Sequence, residues 1–145
     1  MKSLYILVLA AIVLGSSSCG TGKSKVNQKK PESVAIGFIK HIAKLELKDA
    51  EKLCMGETKQ MLGLASEMMN STMSAEDKKR AIAEAEEDLK YIKKADCNVD
   101  GNKATCKVCC NDKEEWTPED LVLEKVDGKW FINMPMPNKE GGGGF

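Results

Sequence analysis

The sequence predicts an α+β fold in which N-terminal helices pack on an antiparallel sheet built from two hairpins. Up to about residue 92, apolar residues recur roughly every three to four positions, which is typical of amphipathic helices. From Ala95 onward the apolar period is two, and glycine-containing turn dipeptides interrupt it. Helices followed by hairpin-forming strands form a helix layer on one face of a sheet.

The first eighteen residues have the pattern of a bacterial export signal. Lys2 precedes an apolar run over residues 4–14, and the small residues 15–18 lead to Cys19. The run is shorter than the ~20 apolar residues of a permanent membrane-spanning helix. The small residues directly before Cys19 resemble a lipoprotein signal, in which that thiol is lipidated and becomes the new N-terminus. With Ser16 in place of the usual leucine, the motif resembles the looser signals of Bacteroidetes-type bacteria. The alternative is an ordinary cleaved signal that leaves Cys19 as a thiol.

The signal predicts a lipid-anchored protein of the bacterial cell envelope, with the lipid bilayer as its partner through Cys19. Gly20, not aspartate, follows the cysteine. By resemblance to lipoprotein sorting rules, this favours the periplasmic face of the outer membrane. We expect four segments: a signal peptide (1–18), the lipidated Cys19 with a flexible tether (19–30), one α+β domain (31–135) and a disordered glycine-rich tail (136–145).

The composition argues against nucleic-acid binding. Lysine and arginine number 22, as do aspartate and glutamate, so the chain has no excess positive charge for phosphates. Aromatic residues make up only 5% of the chain, too few for a base-stacking platform. We expect neither a nucleic-acid partner nor a cofactor.

The first helix begins at Pro31, because proline is favoured at a first helical position. Its apolar face ends near His41, the only histidine of the chain. No Asp, Glu or Ser is placed by sequence to orient this imidazole, so we interpret it as a boundary residue and not as a base. The apolar face itself consists of Val34, Phe38, Ile42 and Leu45.

Three further helices are expected before the sheet. A short one covers residues 50–54, and Thr58 begins a methionine-rich one that contains Met61 and Met68. Methionines of this kind fill irregular cores or line adaptable binding surfaces. The segment Ser74-Ala-Glu-Asp resembles a capping box and begins a fourth helix that ends near Ile92.

Turn dipeptides fix the register of both hairpins. Asp127-Gly128 is a strong two-residue turn, and Gly101-Asn102 turns the first hairpin. In both registers the large apolar residues fall on one face, and a slip of one residue would scatter them. The predicted pairs are Val99–Ala104, Cys97–Cys106, Ala95–Val108, Lys125–Trp130, Leu123–Ile132 and Leu121–Met134.

The cysteines are interpreted as structural. An oxidising periplasm favours disulfides, and cross-strand neighbours Cys97 and Cys106 are close enough for one. We expect a second bridge between Cys54 and Cys110, with Cys109 pointing outward and free. The Cys106-Lys-Val-Cys109 spacing resembles a redox motif, but such a motif needs a helix N-terminus and this one lies in a strand. A zinc site of Cys54, Cys97, Cys106 and Cys110 would need convergence that a regular strand does not allow.

Much of the chain, from about Pro31 to Pro135, resembles a family of bacterial lipoproteins of unknown function with a lumazine-binding-like domain. The resemblance rests on Pro31-Glu-Ser-Val-Ala, on the segment Lys48-Asp-Ala-Glu-Lys-Leu-Cys54, and on Leu121-Val-Leu-Glu-Lys-Val-Asp-Gly-Lys-Trp130. It implies a nuclear transport factor 2-like, cystatin-like architecture, in which a curved antiparallel sheet wraps over helices with a pocket between them. It implies no catalytic residue.

The function predicted from the sequence is a non-catalytic binding module in the cell envelope, with a small apolar ligand or an envelope protein in a groove between helices and sheet. The alternative is a periplasmic thiol or metal-binding protein that uses the cysteines. The residues expected to line the groove are Phe38, Met61, Met68, Leu121, Leu123, Trp130 and Ile132.

Overall fold

The chain folds as four helices followed by a four-stranded antiparallel sheet, which confirms the α+β class. The computed structural model describes residues 25–109, 113 and 115–135. The predicted signal peptide, Cys19, Cys110 and the glycine-rich tail therefore lie outside the described residues. The elements are α1 (Pro31–Ala43), α2 (Leu47–Glu51), α3 (Gly56–Thr72), α4 (Ala75–Leu89), β1 (Ala95–Asp100), β2 (Lys103–Val108), β3 (Leu121–Val126) and β4 (Lys129–Ile132).

Both hairpins have the predicted register, and the sheet order is β1-β2-β3-β4. Cys97 pairs with Cys106 in the first hairpin, and Leu123 pairs with Ile132 in the second. Asp127 and Gly128 have φ values of 50° and 75°, as a type I′ turn requires. Gly101 has a φ of 58°, which matches the glycine at the first central position of a type II′ turn.

One predicted pair, Leu121 with Met134, does not form. Strand β4 ends at Ile132, and the Met134 amide instead donates a hydrogen bond of 2.9 Å to the Thr58 hydroxyl of α3. The chain after β4 therefore leaves the sheet and packs against a helix.

The core lies between α1 and one face of the sheet. Helix α1 contacts β1, β2 and β4. The alternating burial of β2, β3 and β4 places every second side chain under this helix. The largest fully buried side chains are Leu123, Ile132, Val34, Val108 and Cys106.

The outer edge of β4 is covered by two segments from the N-terminal half. The Trp130 amide donates to the Gln28 carbonyl at 2.7 Å. Further along the strand, the Ile132 amide donates to Leu53 O at 2.8 Å, and the Met55 amide donates to Ile132 O at 2.9 Å. These bonds use backbone groups that an open edge would expose to other chains.

Residues 25–30, which we call the N-terminal strap, belong to the folded domain. The sequence predicted that they are part of a flexible tether, because they are polar and lack periodicity. The bond from Trp130 to Gln28 holds the strap on the sheet, and the side chain of Val26 packs against the core. The strap is ordered by these tertiary contacts, which composition does not reveal.

The later helices differ from prediction at their ends. Helix α2 begins three residues earlier than expected and α3 begins at Gly56, while α4 ends at Leu89. The Ser74 cap is confirmed, because its hydroxyl accepts the Asp77 amide at 3.1 Å. Helix α3 packs mainly on α2, and α4 packs mainly on α1. Within the described part of the chain, no helix combines the length and apolar character needed to cross a membrane.

The Cys97–Cys106 disulfide is confirmed and joins the two strands of the first hairpin. Counted from the two-residue turn, this pair falls at a non-hydrogen-bonded position, where facing side chains are closest. The Cα atoms are 4.1 Å apart.

Replacing both Cys97 and Cys106 with alanine should lower the free energy of unfolding by about 2–3 kcal/mol, because the closed loop no longer restricts the unfolded chain. Urea denaturation of the wild type and the double variant measures the difference. Cys54→Ala is a control for the loss of a buried thiol without loss of a bridge. Equal midpoints for the wild type and the double variant would contradict the prediction.

Candidate functional site

An apolar groove opens between α1, α3 and the chain that follows β4. Its volume is about 290 Å³. Helix α1 supplies one wall through Phe38, and α3 supplies side chains from successive turns of one face. The segment that leaves the sheet closes the third side. The lining residues are Phe38, Thr58, Met61, Leu62, Ala65, Met134 and Pro135.

The groove offers a ligand almost no polar side chain. Thr58 is the one lining residue with a polar side chain, and its hydroxyl already has two partners. It donates to the Met134 carbonyl at 3.2 Å and accepts from the Met134 amide at 2.9 Å. Its hydrogen-bonding capacity is thus used to fix the chain after β4. A molecule in the groove would be held by apolar contact.

Two of the seven predicted lining residues, Phe38 and Met61, line the groove. Met68 does not, and 66% of it is exposed. The physical reason is that α3 packs on α2 and does not lie across the sheet, while α1 fills the apolar face of the sheet. The four remaining residues do not line this groove, because they are buried in the core beneath α1: Leu121, Leu123, Trp130 and Ile132.

Sequence reasoning missed five lining residues: Thr58, Leu62, Ala65, Met134 and Pro135. Leu62 and Ala65 lie one and four positions after Met61, so helical spacing from Thr58 and Met61 could have indicated them. Met134 and Pro135 could not be found this way, because they join the groove only after the chain leaves β4.

Helix α3 presents further apolar side chains to solvent. Met61 is 49% exposed and Leu64 is 63% exposed. Within α3, only Ser66 is fully buried. With Met68 one turn further on, these side chains extend apolar surface from the groove along the helix.

The predicted bridge from Cys54 to Cys110 is wrong, because Cys54 is a free and buried thiol. Cys54 lies beside Ile132 at the β4 edge, while Cys109 follows β2. Cys109 was expected to point outward, but it is buried at a bridge to Trp116.

The environment of Cys54 makes its thiol unreactive. Burial is the main cause that raises the pKa of Cys54 to about 12; the nearby Glu51 carboxylate adds to this rise and Lys59 opposes it. The Sγ atom donates to the Ala50 carbonyl at 3.2 Å. A nucleophilic or metal-binding cysteine acts as a thiolate, so this position does not support thiol chemistry at neutral pH. Because Cys97 and Cys106 form a disulfide, the four-cysteine zinc set considered from the sequence is not available.

His41 has a carboxylate partner that the sequence did not indicate. Its Nδ1 lies 2.6 Å from Glu46 Oε2. Leu45, at a φ of 57°, turns the chain at the end of α1, and the Glu46 amide donates to the His41 carbonyl at 2.8 Å. These bonds form a Schellman-type helix end, which brings residues five apart together. The pair therefore locks the α1–α2 corner.

Asp49 lies next to this pair. Ligand atoms of His41, Glu46 and Asp49 are within 4.8 Å of one another. The three groups are partly exposed, and Asp49 accepts a hydrogen bond of 2.7 Å from Lys52, which raises the pKa of that lysine. Hydrogen bonding within the corner accounts for this arrangement.

Comparison with protein-family models, curated proteins and solved structures gives no match for this chain. The groove and the sequence are therefore the features of this chain that indicate a function.

Cys54 should resist alkylation by iodoacetamide at pH 7.5 in the folded protein and react fully in urea, because its raised pKa keeps the thiol protonated. Mass mapping of the Cys54 peptide measures labelling before and after denaturation. Glutathione in the same solution serves as the reactive reference thiol. Labelling of folded Cys54 as fast as glutathione would contradict the assignment.

Proposed function

We propose that this protein is a lipid-anchored lipoprotein of the bacterial cell envelope whose groove between α1 and α3 binds an apolar ligand without catalysis. The observation that carries the proposal is the lining of the groove, in which the only polar side chain is already hydrogen-bonded. At about 290 Å³ the groove is near the lower end of small-molecule sites. The ligand class that fits is a single hydrocarbon chain or a small branched hydrocarbon.

Apolar contact alone supplies useful affinity in such a groove. Burial of one side chain the size of methionine or phenylalanine contributes roughly 1.5–3 kcal/mol. Phe38 forms a rigid wall, while Met61 has three rotatable bonds and adapts to different ligands. A groove of this kind selects by shape and hydrophobicity and does not orient a reacting bond. This supports a binding role over an enzymatic one.

The resemblance to lumazine-binding-like lipoproteins is part of the same proposal. That family implies a nuclear transport factor 2-like, cystatin-like fold with a pocket between helices and sheet. Consistent with it, α1 lies on one face of an antiparallel sheet and the groove opens beside this helix.

Anchoring through Cys19 rests on the sequence. The apolar run over residues 4–14 and the small residues before Cys19 are the pattern of an acylated signal. Several acyl chains on one cysteine hold a domain durably at a membrane, since each buried methylene contributes ~0.8 kcal/mol. We place the anchor at the periplasmic face of the outer membrane.

Cells that express the full chain should incorporate an alkyne-tagged palmitate into the wild type and not into the Cys19→Ala variant, because only Cys19 is acylated. The variant should also leave the membrane fraction. Click labelling on a gel and fractionation measure the two effects. Cys54→Ala is the matched cysteine control and should remain labelled; unchanged label in Cys19→Ala would refute the anchor.

The Met61→Lys variant should bind an apolar fluorescent probe, N-phenyl-1-naphthylamine, at least about tenfold more weakly than the wild type. Loss of methionine contact and a charge in the groove together remove 1.5 kcal/mol or more. Fluorescence titration, with palmitate as competitor, measures the affinity.

Met68→Lys is the matched control for this experiment. Met68 lies on the same helix and is exposed, but it does not line the groove. Its affinity for the probe should equal that of the wild type. Equal binding by both lysine variants and the wild type would show that the groove is not the binding site. If a protein instead copurifies with the wild type and not with Met61→Lys, while palmitate fails to compete with the probe, the occupant of the groove is a protein and not a small ligand.

A further inference from the structure

The N-terminal strap is fixed on the domain close to the proposed anchor. The Asn27 amide donates to the Ser33 hydroxyl at 2.9 Å, and Gln28 accepts the Trp130 amide. Val26 packs so closely on Gly37 of α1 that a methyl group at Gly37 would come within 2.5 Å of Val26 Cγ2. The strap therefore holds Lys25, the described residue nearest in sequence to Cys19, at one defined place on the domain, which we call the exit point.

Lysines surround this exit point. Two shallow depressions of about 310 Å³ each meet at Lys25 and Val26. The first also contains Lys29 and Lys129, and the second contains Lys40. Within the described part of the chain, none of the four lysines forms an ion pair, and neither depression has an acidic residue in its lining. We call Lys25, Lys29, Lys40 and Lys129 the lysine face.

The opposite charge is concentrated elsewhere. Helix α4 carries six acidic and three basic residues, whereas residues 25–40 carry four lysines and one glutamate. A chain that is neutral overall is therefore electrically asymmetric. Such a molecule turns its basic side toward a negatively charged surface.

We propose that the lysine face docks the domain on an anionic phospholipid surface. The inference rests on the proposed anchor at Cys19. Cys19 and Lys25 are six residues apart, so even a fully extended chain spans only about 20 Å between them. The exit point is thus held near the headgroups, and the lysines around it face their phosphates. Each lysine near an anionic leaflet raises partitioning about fivefold.

The test measures membrane binding by the lysine face in a protein that has no acyl chains. The protein tested is the unacylated mature chain from residue 19 with Cys19→Ala, which keeps every residue that the structure describes. It is sedimented with vesicles of phosphatidylcholine containing about a third phosphatidylglycerol, and with pure phosphatidylcholine, in low salt. We expect partitioning into the anionic vesicles only, with loss in high salt because salt screens exposed charges.

A variant with glutamine at Lys25, Lys29, Lys40 and Lys129 should partition at least about tenfold less well. The matched control replaces four exposed lysines elsewhere, for the same change in net charge. It should partition within about twofold of the unsubstituted protein. The control positions are Lys48, Lys59, Lys79 and Lys103.

Several results would overturn the docking proposal. Equal losses in both quadruple variants would mean that net charge, and not this face, drives binding. If the unsubstituted protein does not sediment with anionic vesicles, the lysine face does not bind phospholipid, and a soluble acidic partner becomes the alternative. Vesicle binding that is lost in Met61→Lys and kept in the lysine-face variant would show that the groove, and not the lysine face, contacts the membrane. Palmitate labelling of Cys19 reports on the anchor independently, so failure of the anchor and failure of the lysine face are distinguishable.

Discussion

Burial of one sheet face under a single helix is the constraint on which the structure depends. Leu123 and Ile132, paired across the second hairpin, are completely buried beneath α1, and Val34 of that helix is buried with them. A domain of this size has room for one such core. Helix α1 covers the sheet, and neither α3 nor α4 makes extensive contact with a strand. These helices pack on α2 and α1 instead, and their own apolar residues stay partly exposed.

This division explains where the candidate site lies. The groove forms where α3, which has no place over the sheet, meets the side of α1 and the chain that leaves β4. Thr58 joins α3 to the Met134 backbone through two hydrogen bonds, so the third wall is positioned by polar contacts while the surface it encloses stays apolar. A groove built in this way belongs to the edge of the core and not to its centre.

Local sequence signals predicted the sheet well and the site poorly. The turn at Asp127-Gly128 fixes the register of its hairpin, because neighbouring residues alone determine it. Met61 and Met68 look alike in the sequence, one two-turn repeat apart on the same helix, yet only Met61 reaches the groove. Their difference arises from how α3 docks on α2. Cys54 is buried as a free thiol, and its bridge to Ile132 at the far edge of the sheet could not be foreseen from cysteine spacing.

The placement of the two surfaces around α1 constrains how a ligand would arrive. Ser33, Gly37 and Lys40 recur at helical spacing and line the depression at the strap, while Phe38 lines the groove. At about 100° per residue, Phe38 projects roughly 100–160° around α1 from those three. If the lysine face lies against the headgroups of the proposed anchoring bilayer, the groove opens away from that bilayer. A hydrocarbon ligand would then enter from solution or from another protein, and not directly from the proposed anchoring leaflet.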